Sequence, residues 1–121
     1  MEIKIDQEKN IAYVRLAGRQ SRKQILDAFD AVVADKNYKD GMNRLWDFRD
    51  ADLSAIASND IAEMAQYSMN FPPGKNDVKV AFVTNRTIEF GLSRMFEMAS
   101  EGLTPIMVFR SIEDAEDWLA A

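Results

Sequence analysis

Residues 42–61 read MNRLWDFRDADLSAIASNDI, and this stretch decides the fold. Leu45, Trp46 and Phe48 form a short apolar run, which is followed by an acid-rich segment that ends in serines. Such a run is typical of a buried strand, and serines before a further apolar stretch are typical of a helix start. The stretch therefore predicts a central strand that leads through a polar loop, residues 50–57, into a helix.

Strand and helix patterns alternate on both sides of this stretch. Apolar and polar residues alternate over 3–5 and 11–17, which predicts a hairpin whose second strand is ended by Gly18. Ser21 and Gln24 have the spacing of a capping box at the start of a helix. The other predicted elements are strands at 78–84 and 106–109, and helices at 21–35, at 58–71, from Asn85 or Thr87 to Gly102, and from Ser111 to the end.

The predicted order is β-β-α-β-α-β-α-β-α. This order indicates the α/β class, with a single mixed, mostly parallel five-stranded sheet and helices packed on it. We expect the N-terminal strand to be the antiparallel member at one edge. In the second strand, Ala12, Val14 and Leu16 should share one face of the sheet. The length of 121 residues fits a single domain spanning residues 1–121.

The composition argues against several functions. The sequence contains neither cysteine nor histidine, the residues that most often serve as thiolate nucleophiles, general bases and metal ligands. The net charge of -5 disfavours binding to nucleic acid. No run approaches the ~20 apolar residues of a transmembrane segment. We expect a cytoplasmic protein without a cofactor, a bound metal or a nucleic-acid partner.

The acidic residues of the central stretch do not form a recognisable catalytic or metal motif. Asp47, Asp50 and Asp52 lack the glycine and the distal glutamate of a calcium loop. The sequence also lacks a Gly-x-Ser-x-Gly motif, a phosphate-binding glycine loop and a dinucleotide fingerprint. We therefore predict that the protein is not an enzyme.

Polar residues follow three of the predicted parallel strands. Ligands of open parallel sheets lie beyond the carboxyl ends of the strands, where arginines and helix N-termini suit an anion. The alternative is that the arginines pair with nearby aspartates and that the serines and asparagine cap helices. The candidate anion-binding residues are Arg49, Asp50, Asn85, Arg86, Arg110 and Ser111.

The second and third helices carry more apolar surface than one sheet contact uses. In the third helix, Ile88, Leu92, Met95, Phe96 and Ala99 fall on one arc, which we expect to face the sheet. The surplus side chains are open to three interpretations: cover by their own chain, an interface, or an apolar pocket. The residues assigned to an interface or apolar pocket are Met64, Tyr67, Phe71, Phe90, Arg94 and Met98.

Several strings resemble the SpoIIAA-like family, which has the STAS-like fold of anti-sigma factor antagonists and STAS/SEC14-type proteins. They are Asp47-Phe48-Arg49, Val80-Ala81-Phe82-Val83, and Val108-Phe109-Arg110-Ser111 with Trp118-Leu119. The resemblance covers essentially the whole chain and implies a small non-enzymatic module. The antagonists carry a phosphoacceptor serine in an Asp-Ser-Ser-Gly-like string, which is absent here, so that role is not transferred to Ser54 or Ser58.

Two hypotheses of function follow. The first is an interaction or regulatory module that binds a protein partner, or itself as a homodimer, through the second and third helices. The alternative is a carrier or sensor of a small apolar ligand or lipid, with a SEC14-like pocket under residues 50–57. An anionic ligand at the strand ends would be compatible with either hypothesis.

Overall fold

Helices and strands alternate in the structure after an N-terminal hairpin, in the predicted order. The computed structural model describes residues 1–69, 78–99 and 104–121. Its elements are β1 (Glu2–Asp6), β2 (Ile11–Arg19), α1 (Arg22–Val33), β3 (Asn43–Asp52), α2 (Ser58–Met69), β4 (Val80–Val83), α3 (Thr87–Ala99), β5 (Ile106–Phe109) and α4 (Ile112–Ala120).

The five strands form one sheet in the order β1-β2-β3-β4-β5. β1 pairs antiparallel with β2 at the edge and all other pairs are parallel, so the predicted mixed sheet is confirmed. Ala12, Val14 and Leu16 face the core shared with α1, α2 and α3, as expected. Ile11 and Tyr13 lie on the opposite face, where α4 packs.

The central strand β3 is longer than predicted. It continues to Asp52, because its ladder with β2 resumes after an irregularity and pairs Gly18 with Ala51. Gly18 therefore lies inside β2 with a φ of +79°, a backbone conformation that glycine adopts without steric cost, and does not end the strand. The segment between β3 and α2 begins at Leu53, so the predicted loop of residues 50–57 starts too early.

Two of the predicted helix starts are capped as expected. Ser21 Oγ accepts a hydrogen bond from the Gln24 amide at 3.2 Å, and Gln24 Oε1 accepts one from the Ser21 amide at 2.8 Å, which completes the capping box. At α4, Ser111 Oγ accepts from the Asp114 amide at 3.2 Å. The predicted stops of α2 at Pro72 and of α3 at Gly102 lie outside the described residues.

The face that α3 turns toward the sheet matches the prediction in part. Leu92 and Phe96 of the predicted arc pack on the core, whereas Met95 and Ala99 are exposed. The helix also buries two polar residues, Glu89 and Ser93. A hydropathy pattern treats glutamate and serine as outward residues, so it could not predict that they share the buried face.

Candidate functional site

A cavity lies between the sheet and helices α1, α2 and α3. The cavity is partly open to solvent. β3, β4 and β5 line it on the side of the sheet, the three helices line it on the other side, and the segment after β3 contributes Leu53 and Ile56. The lining residues are Ile25, Leu26, Phe29, Arg44, Trp46, Phe48, Leu53, Ile56, Ile61, Met64, Tyr67, Ser68, Val80, Phe82, Leu92, Ser93, Phe96, Thr104 and Ile106.

Four aromatic rings form a continuous row along the cavity, defined here as the aromatic row: Trp46, Phe48, Phe82 and Phe96. Successive ring centres are 6.0, 5.5 and 5.4 Å apart, within the range of favourable aromatic pairs. Trp46 and Phe48 share this face of β3 because side chains alternate along a strand. The row offers a rigid apolar surface to any molecule that enters.

A buried carboxylate links α3 to the segment after β3. Glu89 is only 2% exposed, and its Oε2 accepts a hydrogen bond from the Leu53 amide at 3.3 Å. Its Oε1 accepts a hydrogen bond from Arg86 Nε at 2.6 Å. Leu53 and Ile56 line the cavity, so Glu89 ties this part of the lining to α3. The hydropathy pattern gave no signal for this role.

The polar side chains in the cavity wall differ in whether they have a hydrogen-bond partner. The Tyr67 hydroxyl donates to the Asp30 carboxylate, with oxygen distances of 2.8 and 3.0 Å, and this hydrogen bond raises the pKa of Tyr67. Ser68 Oγ donates to the Ala65 carbonyl at 2.9 Å. Ser93 Oγ is buried and has no hydrogen-bond partner among the residues that the structure describes.

Arg44 places a guanidinium group in the same wall. It is 2% exposed, its Nη1 donates to the Tyr38 hydroxyl at 2.9 Å, and its guanidinium carbon lies 5.1 Å from the centre of the Phe29 ring. Burial lowers the pKa of Arg44, while the hydrogen bond and charge of Tyr38 act in the opposite direction. The sequence analysis missed Arg44, although strand alternation with Trp46 and Phe48 would have placed it on this face.

The first predicted strand end, at Arg49 and Asp50, is occupied by ion pairs within the chain. Arg49 Nε and Nη2 each donate to one oxygen of Asp47 at 2.9 Å, and Asp50 pairs with Arg15. Burial alone would raise the pKa of Asp47, but the hydrogen bonds and charge of Arg49, together with the charge of Arg15, lower it overall. Both residues lie within β3 and not in a loop.

Three of the other predicted anion-binding residues interact with side chains or backbone groups of the same chain. The fourth, Asn85, is exposed. Arg86 hydrogen-bonds Glu89, and Ser111 caps α4. Arg110 holds its guanidinium 4.3 Å from the centre of the half-buried Phe90 ring. Anion binding at the strand ends stays a prediction, and these contacts are what an anion would have to displace.

The residues predicted for an interface or apolar pocket separate into two groups. Met64 and Tyr67 line the cavity. Arg94 and Met98 lie on the outer side of α3, where Arg94 pairs with a neighbouring glutamate and Met98 is 68% exposed. Phe71 lies outside the described residues.

Residues 1–69, 78–99 and 104–121 contain neither a metal-binding cluster nor a membrane-spanning helix. They bring together no group of three or more acidic side chains suited to a metal ion. None of the helices in these ranges has the length and apolar character needed to cross a membrane.

Comparison with known proteins gives a fold but no activity. No family model and no curated protein matches the sequence. The structure is similar to the crystal structure of an uncharacterised DUF3478-family protein with a SpoIIAA-like fold from Shewanella loihica PV-4. The TM-score is 0.61 at 18% sequence identity, over 98% of this chain and 90% of that one. The chain therefore has the SpoIIAA-like fold that its sequence strings predicted.

Proposed function

We propose that this chain, a SpoIIAA-like fold, binds a small apolar molecule in the cavity between its sheet and helices α1, α2 and α3. The observation that carries the proposal is the lining, which is predominantly apolar and includes the aromatic row. Small-molecule sites are typically concave, mostly apolar and provided with a few placed polar groups. The activity is that of a carrier or sensor, and it requires no catalytic group or cofactor.

The physical reason is that unfilled apolar volume destabilises a fold. Side chains around a void lose dispersion contacts, and apolar cavities stay dry and accept apolar molecules of matching size. A ligand that binds only the folded state restores these contacts and stabilises the protein by mass action. Ligand-dependent stability is therefore the expected signature of this function.

The test uses the neutral fluorescent probe N-phenyl-1-naphthylamine and two tryptophan variants of α3. Leu92→Trp enlarges a side chain in the cavity wall, whereas Met98→Trp adds the same group on the exposed side of the same helix. We expect saturable one-to-one binding to the wild type and to Met98→Trp, and at least about tenfold weaker binding to Leu92→Trp. Circular dichroism verifies that both variants fold.

Two results would reject the proposal. One is the lack of saturable binding to the wild type. The other is equal affinity of a folded Leu92→Trp variant, because the probe would then bind elsewhere. Native mass spectrometry of protein purified from its own host would identify a molecule that remains bound.

We propose as a second candidate that the outer side of α3 binds a protein partner or a second copy of the chain, as a cytoplasmic regulatory module would. Met98 and Met95 support it, because they are 68% and 39% exposed on that side and methionine is enriched at interfaces. Sedimentation velocity of wild type and Met98→Asp tests the homodimer. A concentration-independent monomer for both proteins would exclude it.

A further inference from the structure

Ser93 provides a buried polar group inside the cavity that no described residue pairs. It lies in the middle of α3, is 3% exposed and lines the cavity. A serine in a helix commonly hydrogen-bonds a carbonyl of the preceding turn. Ser68 of α2 does so through Ala65, but Ser93 Oγ has no such partner anywhere in the described part of the chain.

An unpaired hydroxyl of this kind is costly in an apolar site. A buried polar group without a partner destabilises the fold, and a wholly hydrocarbon ligand would leave that cost in place. A ligand oxygen beside Ser93 would remove it, because a serine hydroxyl both donates and accepts hydrogen bonds. A site that pairs a ligand hydroxyl or carbonyl also discriminates against the analogue that lacks it.

We propose that the ligand carries one hydroxyl or carbonyl oxygen, which hydrogen-bonds Ser93 Oγ while its apolar body packs on the aromatic row. The inference rests on the proposed function and deepens it from any small apolar molecule to an apolar alcohol, phenol or ketone. Ser93 is then a specificity-determining residue, and its hydroxyl fixes the orientation of the ligand in the cavity.

The experiment compares 2-naphthol with naphthalene, which differ by one hydroxyl. Isothermal titration calorimetry gives their dissociation constants for the wild type, Ser93→Ala and Ser93→Thr. We expect Ser93→Ala to weaken 2-naphthol binding about tenfold, the equivalent of one hydrogen bond of about 1.4 kcal/mol. Naphthalene should bind Ser93→Ala at least as well as the wild type, and Ser93→Thr should retain the preference for 2-naphthol.

Ser68→Ala is the matched control. It removes the same atom from the same cavity, but from a hydroxyl that already donates to Ala65. Its ratio of 2-naphthol to naphthalene affinity should equal that of the wild type. An equal loss in Ser68→Ala and Ser93→Ala would overturn the assignment to Ser93.

The inference and the proposed function fail in distinguishable ways. If both probes bind the wild type and Ser93→Ala leaves their affinity ratio unchanged, the inference is wrong while ligand binding stands. If neither probe binds the wild type, and N-phenyl-1-naphthylamine does not bind either, both are wrong.

Discussion

Replacing Glu89 by alanine should loosen the segment after β3, which contributes Leu53 and Ile56 to the cavity lining, before it affects the rest of the fold. The Glu89 carboxylate is buried on α3. It accepts a hydrogen bond from the amide of Leu53, which lies 36 positions earlier in the sequence. Leu53 is itself buried. Without Glu89, the Leu53 amide would lose that acceptor. The segment carrying Leu53 and Ile56 would then lose this hydrogen bond to α3.

The expected cost is about 2 kcal/mol. Leaving a buried amide unpaired costs about 1–3 kcal/mol. The ion pair with Arg86 adds at most about 1 kcal/mol, because the Arg86 side chain is half exposed. Removing a buried charge offsets part of this loss. Glu89→Gln keeps the size of the side chain and an acceptor for the Leu53 amide, so its cost should be about 1 kcal/mol or less.

Urea unfolding gives the global free energies, and hydrogen exchange at the Leu53 amide gives the local effect. We expect Glu89→Ala to speed that exchange at least tenfold and to weaken binding of N-phenyl-1-naphthylamine. Arg86→Ala is the control for the surface pair and should cost less than about 1 kcal/mol. Equal destabilisation by Arg86→Ala and Glu89→Ala, or unchanged exchange of the Leu53 amide in Glu89→Ala, would refute the role of Glu89.

Three further predictions concern other contacts. The pKa of Asp47 is below its ordinary value of 3.8 in the folded state, so its stabilisation is complete above that pH and is lost as the pH falls through the folded pKa. Below roughly pH 4, the free energy of unfolding should therefore fall less steeply with decreasing pH in Asp47→Asn than in the wild type. Equal slopes for the two proteins would contradict the lowered pKa of Asp47. Tyr67→Phe removes the hydrogen bond to Asp30 that joins α2 to α1, and it should lower the free energy of unfolding by about 1 kcal/mol in urea titration. Ser21→Ala removes the capping box of α1 and should cost about 1 kcal/mol, whereas Ser21→Asp should retain most of the stability.

The sheet could be predicted from the sequence because its signals are local and repeated. Alternation in β2 placed Ala12, Val14 and Leu16 on the correct face, and the apolar run of β4 indicated a strand covered on both sides. The true end of β3 could not be predicted in this way. It depends on the ladder with β2 continuing past an irregularity to Gly18 and Ala51, a contact between distant parts of the chain.

The candidate site could be predicted only in part from the sequence. Two of its residues are polar but buried, whereas polar residues of a helix usually face solvent. Met64 and Tyr67 were identified from surplus apolar surface on α2. Glu89 and Ser93 were missed because a helical hydropathy pattern assigns them to solvent, whereas the Leu53 amide and Arg86 compensate Glu89 inside the fold. The Leu53 amide lies 36 positions before Glu89, and a periodicity within one helix cannot reveal that contact.

The two faces of the sheet are packed differently. On the face covered by α4, Leu45, Ala81, Val83 and Ala115 are completely buried, so one short helix closes that side with small and branched side chains. On the other face, three helices surround an aromatic row and leave a lined space. Stability can therefore come from the α4 face and the strand ladder, while the opposite face tolerates the cost of unfilled volume and a buried hydroxyl. The proposed ligand would offset this cost on the face where the described residues carry it.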